Sequence, residues 1–162
     1  MPKSTFKPKK LSTSELLIKL LCLFAMLFYL YCVLSITLID RTSGTRRHVF
    51  RPLWEVQTML RSGNYTYWSG QIGGNLIMLF PLGFMLPIIS DKFKNIALTT
   101  LTGAAFSMFI EFTQYYTGRG LFESDDILHN TFGAFAGCIF YLLIFDRFLL
   151  RETEPSEYDF NE

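Results

Sequence analysis

"LLCLFAMLFYLYCVLSITLI", Leu20 to Ile39, is twenty consecutive residues without a charge. About 20 residues of helix, rising ~1.5 Å each, cross the ~30 Å hydrocarbon core of a bilayer. The stretch therefore predicts a membrane span. It runs on into "LSITLIDRT" rather than a small-residue cleavage site, so it reads as a retained anchor and not as a secretory signal. Composition agrees. Half of the 162 residues are hydrophobic, 17% are aromatic with 17 Phe and 8 Tyr, and the mean hydropathy is positive.

A formal net charge of +1 provides no field for nucleic acid. Cys22, Cys32 and Cys138 lie in apolar runs without CxxC spacing, which suggests neither a disulfide framework nor a zinc site. No GxSxG, nucleotide-binding loop or HExxH occurs, and no cofactor is expected.

Three more apolar runs follow. The second centres on "QIGGNLIMLFPLGFMLPIIS", Gln71 to Ser90, where Pro81 should kink a helix rather than abolish it. The third extends from near Asn95 to about Tyr116, and the fourth from Ile127 to Phe145. The expected fold is an all-α integral membrane protein with four transmembrane helices. Its divisions are a basic tail (1–19), the first span (20–39), an extracytoplasmic loop (40–70), a core of three spans (71–145) and a second tail (146–162). Four spans put both termini on one side. Cytoplasmic segments retain Lys and Arg. Lys3, Lys7, Lys9, Lys10, Lys19, Lys92, Lys94, Arg147 and Arg151 fall on the terminal side, against Arg41, Arg46, Arg47, Arg51, Arg61 and Arg119 on the other. Both termini are thus expected in the cytoplasm of a bacterial plasma membrane, with loose polar tails. In the first loop, "RPLWEVQTMLRSG" spaces Leu53, Val56 and Leu60 as on a short surface helix.

The polar residues inside the apolar runs carry the functional reading. Ala104, Ser107, Glu111, Gln114 and Gly118 recur at three- and four-residue steps, as do Asp126, Asn130, Gly133 and Gly137, and Asn75 opens a similar stripe on the second span. If the second span enters at Gln71 and the third leaves near Tyr116, Asn75 and Glu111 lie roughly 6 to 8 Å below the same surface. Arg119 and Asp126 then form the rim above them. A carboxylate within a span is costly and normally marks a functional path or site. Two uses compete here: Glu111 and Asp126 as acid and base on a bound headgroup, or Glu111, Gln114, Asn75 and Asn130 as ties between helices. Asp125 and His129 sit four apart, but no third metal ligand is evident, so no metal is expected.

At these residues the chain resembles the VanZ family of small membrane proteins. "GGNLIMLFPLGFMLP" is similar to one family block at Asn75, Phe80, Pro81, Gly83, Phe84 and Pro87. "EFTQ", "GR" and "DDILHNTFGAFAG" are similar to a second at Glu111, Gln114, Arg119, Asp126, Asn130, Gly133 and Gly137. The resemblance covers roughly His48 to Phe145. Relatives often have Asp at the place of Glu123 and a Pro/Phe pair at Pro52–Leu53.

The resemblance implies a membrane protein associated with resistance to teicoplanin-type lipoglycopeptides, acting at the outer leaflet on the drug or on a lipid-linked envelope component such as a cell-wall precursor. Asn75, Gln114, Arg119 and Asn130 would then bind the ligand. The alternatives are a transferase or hydrolase on a lipid-linked substrate, using Glu111 and Asp126, and a structural or assembly subunit of an envelope complex. Membrane lipids are the expected surroundings, and transport by four spans would require a homodimer.

Overall fold

The structure, a computed structural model, describes residues 12–44 and 47–146; the two polar tails lie outside the described residues. Four helices are long and apolar enough to cross a membrane: Thr13–Ile39, Tyr65–Ile89, Ile96–Thr117 and Ser124–Ile144. The chain is an all-α, multi-pass membrane protein. Helix α1 (Thr13–Leu34) starts ahead of the expected Leu20, because Glu15 accepts a hydrogen bond from the Ser12 amide at 2.9 Å and caps the first turn. It continues through a π-helical turn, Ser35–Ile39.

The short helix α2 (Trp54–Ser62) occupies the first loop, and α3 (Tyr65–Ile89) follows after Gly63 and the capping residue Asn64. Helix α3 begins at Tyr65 rather than Gln71. Tyr65, Tyr67 and Trp68 in its first turn are the amphipathic rings that sit at a membrane interface. Both Pro81 and Pro87 are accommodated within it. The Asn95 side chain caps α4 (Ile96–Thr117) through the Leu98 amide at 3.1 Å, and Gly118 ends it at φ 69°, a conformation that costs glycine little. The last helix is α5 (Ser124–Phe140), extended by a π-helical stretch, Tyr141–Asp146.

Two three-residue strands, unannounced by the hydropathy pattern, cross-link the loops. β1 (Arg47–Val49) pairs in parallel with β2 (Leu121–Glu123), placing Arg47 against Leu121, His48 against Phe122 and Val49 against Glu123. The first loop is thereby pinned to the turn between α4 and α5.

Helices α3 and α5 form the centre. Leu79, Leu82, Leu86 and Ala134 are buried together with Met26 of α1. Their backbones approach so closely that a Cβ on Gly133 would overlap the Leu76 carbonyl, one on Gly137 the Phe80 carbonyl, and one on Gly83 the Ala134 carbonyl. Small residues are what permit such contact where water supplies no driving force between helices. Large apolar side chains such as Phe24, Phe28, Ile77, Leu101 and Phe132 point outward, as expected when the solvent is lipid. Several hydroxyls within the spans are satisfied locally: Thr37, Thr102, Thr113 and Thr131 each donate to the carbonyl four residues back.

Candidate functional site

The polar residues of the spans meet at one end of the bundle, roofed by the first loop. Asp125, in the first turn of α5, is fully buried and accepts from the backbone amides of Leu53 at 2.6 Å and Glu55 at 3.0 Å. Its carboxylate thus caps the positive N-terminal end of α2. The cap holds Leu53 in the left-handed region at φ 59° and aims Glu55 into the bundle. Glu55 is 1% exposed, although it belongs to a loop helix.

The next carboxylate, Asp126, accepts from Asn75 Nδ2 of α3 at 2.6 Å. Glu111 of α4 accepts the Glu123 amide at 2.9 Å and so fixes the end of β2. The result is a convergence of Glu55, Glu123 and Asp126, whose carboxylate oxygens lie within 4.8 Å of one another. His129, one turn further along α5, places Nδ1 3.3 Å from Glu55 Oε2.

The other residues singled out by spacing make hydrogen bonds between elements. Gln114 donates to the Thr37 carbonyl at 3.1 Å, Asn130 donates to Ser107 Oγ at 2.9 Å, and Arg119 donates to the Leu38 carbonyl at 3.1 Å. Thr37 and Leu38 lie in the π-helical turn that ends the first span. That turn exposes carbonyls to the third span's polar face, which is how α1 is attached at this end. The Asn75–Asp126 and Glu111–Glu123 amide pairs are brought together by the nearby Glu123 and Asp126 carboxylates; Gln114 and Arg119 flank them, and Asn130 lies deeper.

Two recesses open beside the acidic group, and β2 borders both. The first, about 470 Å³, is lined by Asp40, Arg41, Gly44, Arg47, Arg119 and Leu121, among others, and presents three guanidinium groups. The second, about 260 Å³, is almost wholly apolar and is lined by His48, Phe50, Phe112, Tyr115 and Phe122. Its rings stack in tilted and edge-on pairs, including Phe50–Phe122 at 5.2 Å and Phe112–Phe122 at 5.4 Å between centroids. Three successive residues of β2 thus serve three surroundings: Leu121 the basic recess, Phe122 the aromatic recess and Glu123 the acidic group.

Electrostatics follow from the crowding. Burial, reinforced by the charges of Asp126 and Asp125, pushes the Glu55 carboxyl up to about 7. Burial, then Asp126, Glu55 and Asp125, also push Glu123 up to about 7, against a smaller opposing pull from Arg41. Both groups hold or release a proton near neutrality. Arg41, which lines the basic recess, is thus close enough to the acidic group for its charge to act there.

Spacing along the spans does not disclose Glu55, Arg41 or Arg47. The first-loop arginines serve there as topology markers, and the Leu53, Val56, Leu60 pattern suggests a short helix at the membrane surface. In the structure Leu53 and Leu60 are exposed, as on a surface helix, and it is Glu55, which that spacing does not single out, that turns inward. The available signal was Asp125, an acid next to Asp126 with no evident partner in its own span.

The family model described as VanZ/LLP1 matches residues 16–145 of the chain. No curated protein and no solved structure matches it.

Proposed function

The chain belongs to the VanZ/LLP1 family, and on that premise we propose that it binds the anionic head of a lipid-tailed envelope component and so weakens teicoplanin-type lipoglycopeptides. One observation carries this reading: three arginines, Arg41, Arg47 and Arg119, surround a recess at the bundle end, with an aromatic recess beside it. Guanidinium groups bind phosphate and carboxylate through paired, charge-assisted hydrogen bonds. The aromatic recess is of the kind that accepts the first apolar segment of an acyl or prenyl tail. An amphiphile with a charged head and a greasy tail suits both at once. The orientation proposed here keeps both termini in the cytoplasm, so the recesses face the outer leaflet of a bacterial plasma membrane.

The hydrogen bonds of Glu111, Gln114 and Asn130 support positioning roles for these three, while Arg119 meets the ligand directly. Binding is therefore favoured over acid–base chemistry by Glu111 and Asp126, because both carboxylates are already tied into the structure, Glu111 by the Glu123 amide and Asp126 by Asn75, while the arginines line an open recess.

The test is direct binding to the full chain in lipid nanodiscs, in the presence of chelator, comparing a prenyl diphosphate with the uncharged prenol of equal length. The diphosphate should bind more tightly. Arg41→Ala and Arg119→Ala should each weaken it roughly tenfold to a hundredfold, the range for losing one charged hydrogen-bonding group at ~1.5–3 kcal/mol. Equal binding of both ligands, or an unchanged diphosphate affinity in both variants, would overturn the proposal.

A further inference from the structure

We propose that Glu55, Glu123 and Asp126 form a binding site for a hard divalent cation of the Mg²⁺, Mn²⁺ or Ca²⁺ class. The three carboxylates come from α2, β2 and α5, Glu55 lying about seventy residues ahead of the other two, and their oxygens gather within 4.8 Å. Each is held there by a separate device. Asp125 caps α2 and so sets Glu55, the Glu111 carboxylate anchors the Glu123 amide, and Asn75 orients Asp126 through Oδ1. Partners that orient ligands in this way are the customary surroundings of a metal site.

A second observation points to a missing occupant. Glu55 is 1% exposed, and its Oε2 atom has no hydrogen-bond donor. The nearest polar atom recorded for it, His129 Nδ1 at 3.3 Å, lies outside hydrogen-bond geometry and is itself buried without a partner. Among the described residues, no lysine or arginine makes a salt bridge with Glu55, Glu123 or Asp126. Ionising these buried carboxyls side by side is expensive, and a cation at their centre offsets both the burial and the mutual repulsion.

The donor set selects the metal. The atoms that all lie within 4.8 Å of one another are carboxylate oxygens, His129 Nδ1 standing 3.3 Å from Glu55 but outside that group, and an oxygen donor set favours hard cations over zinc or copper. Three protein oxygens leave about three positions of an octahedral ion for water or for oxygens of an anionic ligand. The cation site goes beyond the ligand assigned to the arginine recess and is tested without it.

The experiment is Mn²⁺ titration of the purified full chain in detergent, with free Mn²⁺ read from its electron paramagnetic resonance signal. One Mn²⁺ per chain should bind, and Mg²⁺ or Ca²⁺ should displace it. Glu123→Gln and Asp126→Asn should each weaken binding by at least roughly tenfold, and Glu55→Gln should do the same. Asp91→Asn, at the opposite end of the bundle, should leave it unchanged. Because wild type alone is decisive, misfolding of a variant does not rescue the proposal. Failure of wild type to bind Mn²⁺, or binding unaltered in folded Glu123→Gln and Asp126→Asn, overturns it. Either failure leaves the arginine-recess reading intact, since that is read with a prenyl diphosphate in the presence of chelator.

Discussion

Replacing Asp125 by Ala removes a fully buried carboxylate that receives two backbone amides, Leu53 at 2.6 Å and Glu55 at 3.0 Å. A hydrogen bond to a charged group contributes ~1.5–3 kcal/mol, and a helix cap is worth ~0.5–2 kcal/mol. Both bonds share one carboxylate and freed amides can recruit water, so the two are not simply added; about 2–4 kcal/mol is the expected loss. Leu53 reinforces the effect, because its left-handed conformation costs roughly 1–2 kcal/mol and the cap is what holds it.

The damage should stay local, since α2 can lift from the bundle while α3 and α5 remain packed. Hydrogen exchange followed by mass spectrometry, on protein in detergent, reads this opening. Amides of Trp54–Ser62 should exchange roughly thirtyfold to several hundredfold faster in Asp125→Ala, since each 1.4 kcal/mol is a factor of ten. Those of α3 and α5 should keep their protection. Asp125→Asn, which retains one acceptor oxygen, should fall between. Unchanged α2 protection in a folded Asp125→Ala protein would refute the cap, and with it the explanation for the burial of Glu55.

Further outcomes follow from the same geometry. Gly133→Leu or Gly137→Leu should prevent close packing of α3 on α5 and lower the melting temperature sharply or abolish folding. Gly74→Ala, where an added Cβ meets nothing within 4 Å, should instead stabilise by about 0.5–1 kcal/mol, so equal loss in both would contradict the packing assigned here. Leu53→Gly relieves a left-handed residue and should raise thermal stability slightly; a clear loss would count against that backbone strain.

For pH dependence, Glu55 and Glu123 titrate near 7 when folded, against about 4.5 ordinarily, so the native state binds more protons between those values. Stability in chelator should therefore be fullest below about 4.5, fall as pH rises through the window and level off above about 7. The difference between wild type and a Glu55→Gln/Glu123→Gln variant isolates this term; a difference that is flat or rises with pH would disprove it.

Much of this molecule is legible in its sequence, for identifiable reasons. Long uncharged runs reveal helices because lipid forces every backbone polar group to be satisfied within its segment. The three- and four-residue recurrence of Glu111, Gln114, Gly133 and Gly137 reveals inward faces because 3.6 residues make a turn. The amphipathic α2 is also visible, but its orientation is not. Glu55 turns inward only because Asp125, seventy residues later, caps the helix, a long-range contact without a local signature. The strands escape notice for a different reason: Arg47–Val49 and Leu121–Glu123 are too short to alternate measurably. Yet their pairing brings Arg47 beside Arg119 and sets Glu123 in the acidic group. The candidate site is thus half visible, the part on spans being legible and the part contributed by loops emerging only from tertiary contacts.

The most direct test of the account is resistance itself. Wild type and an Arg41→Ala/Arg119→Ala variant, expressed at matched membrane levels in a susceptible Gram-positive host, are compared by inhibitory concentrations of teicoplanin and vancomycin. The account predicts that wild type protects against teicoplanin and not vancomycin, and that the variant loses this protection while remaining folded in the membrane. A variant as protective as wild type, or a wild type that gives no selective protection, would contradict it.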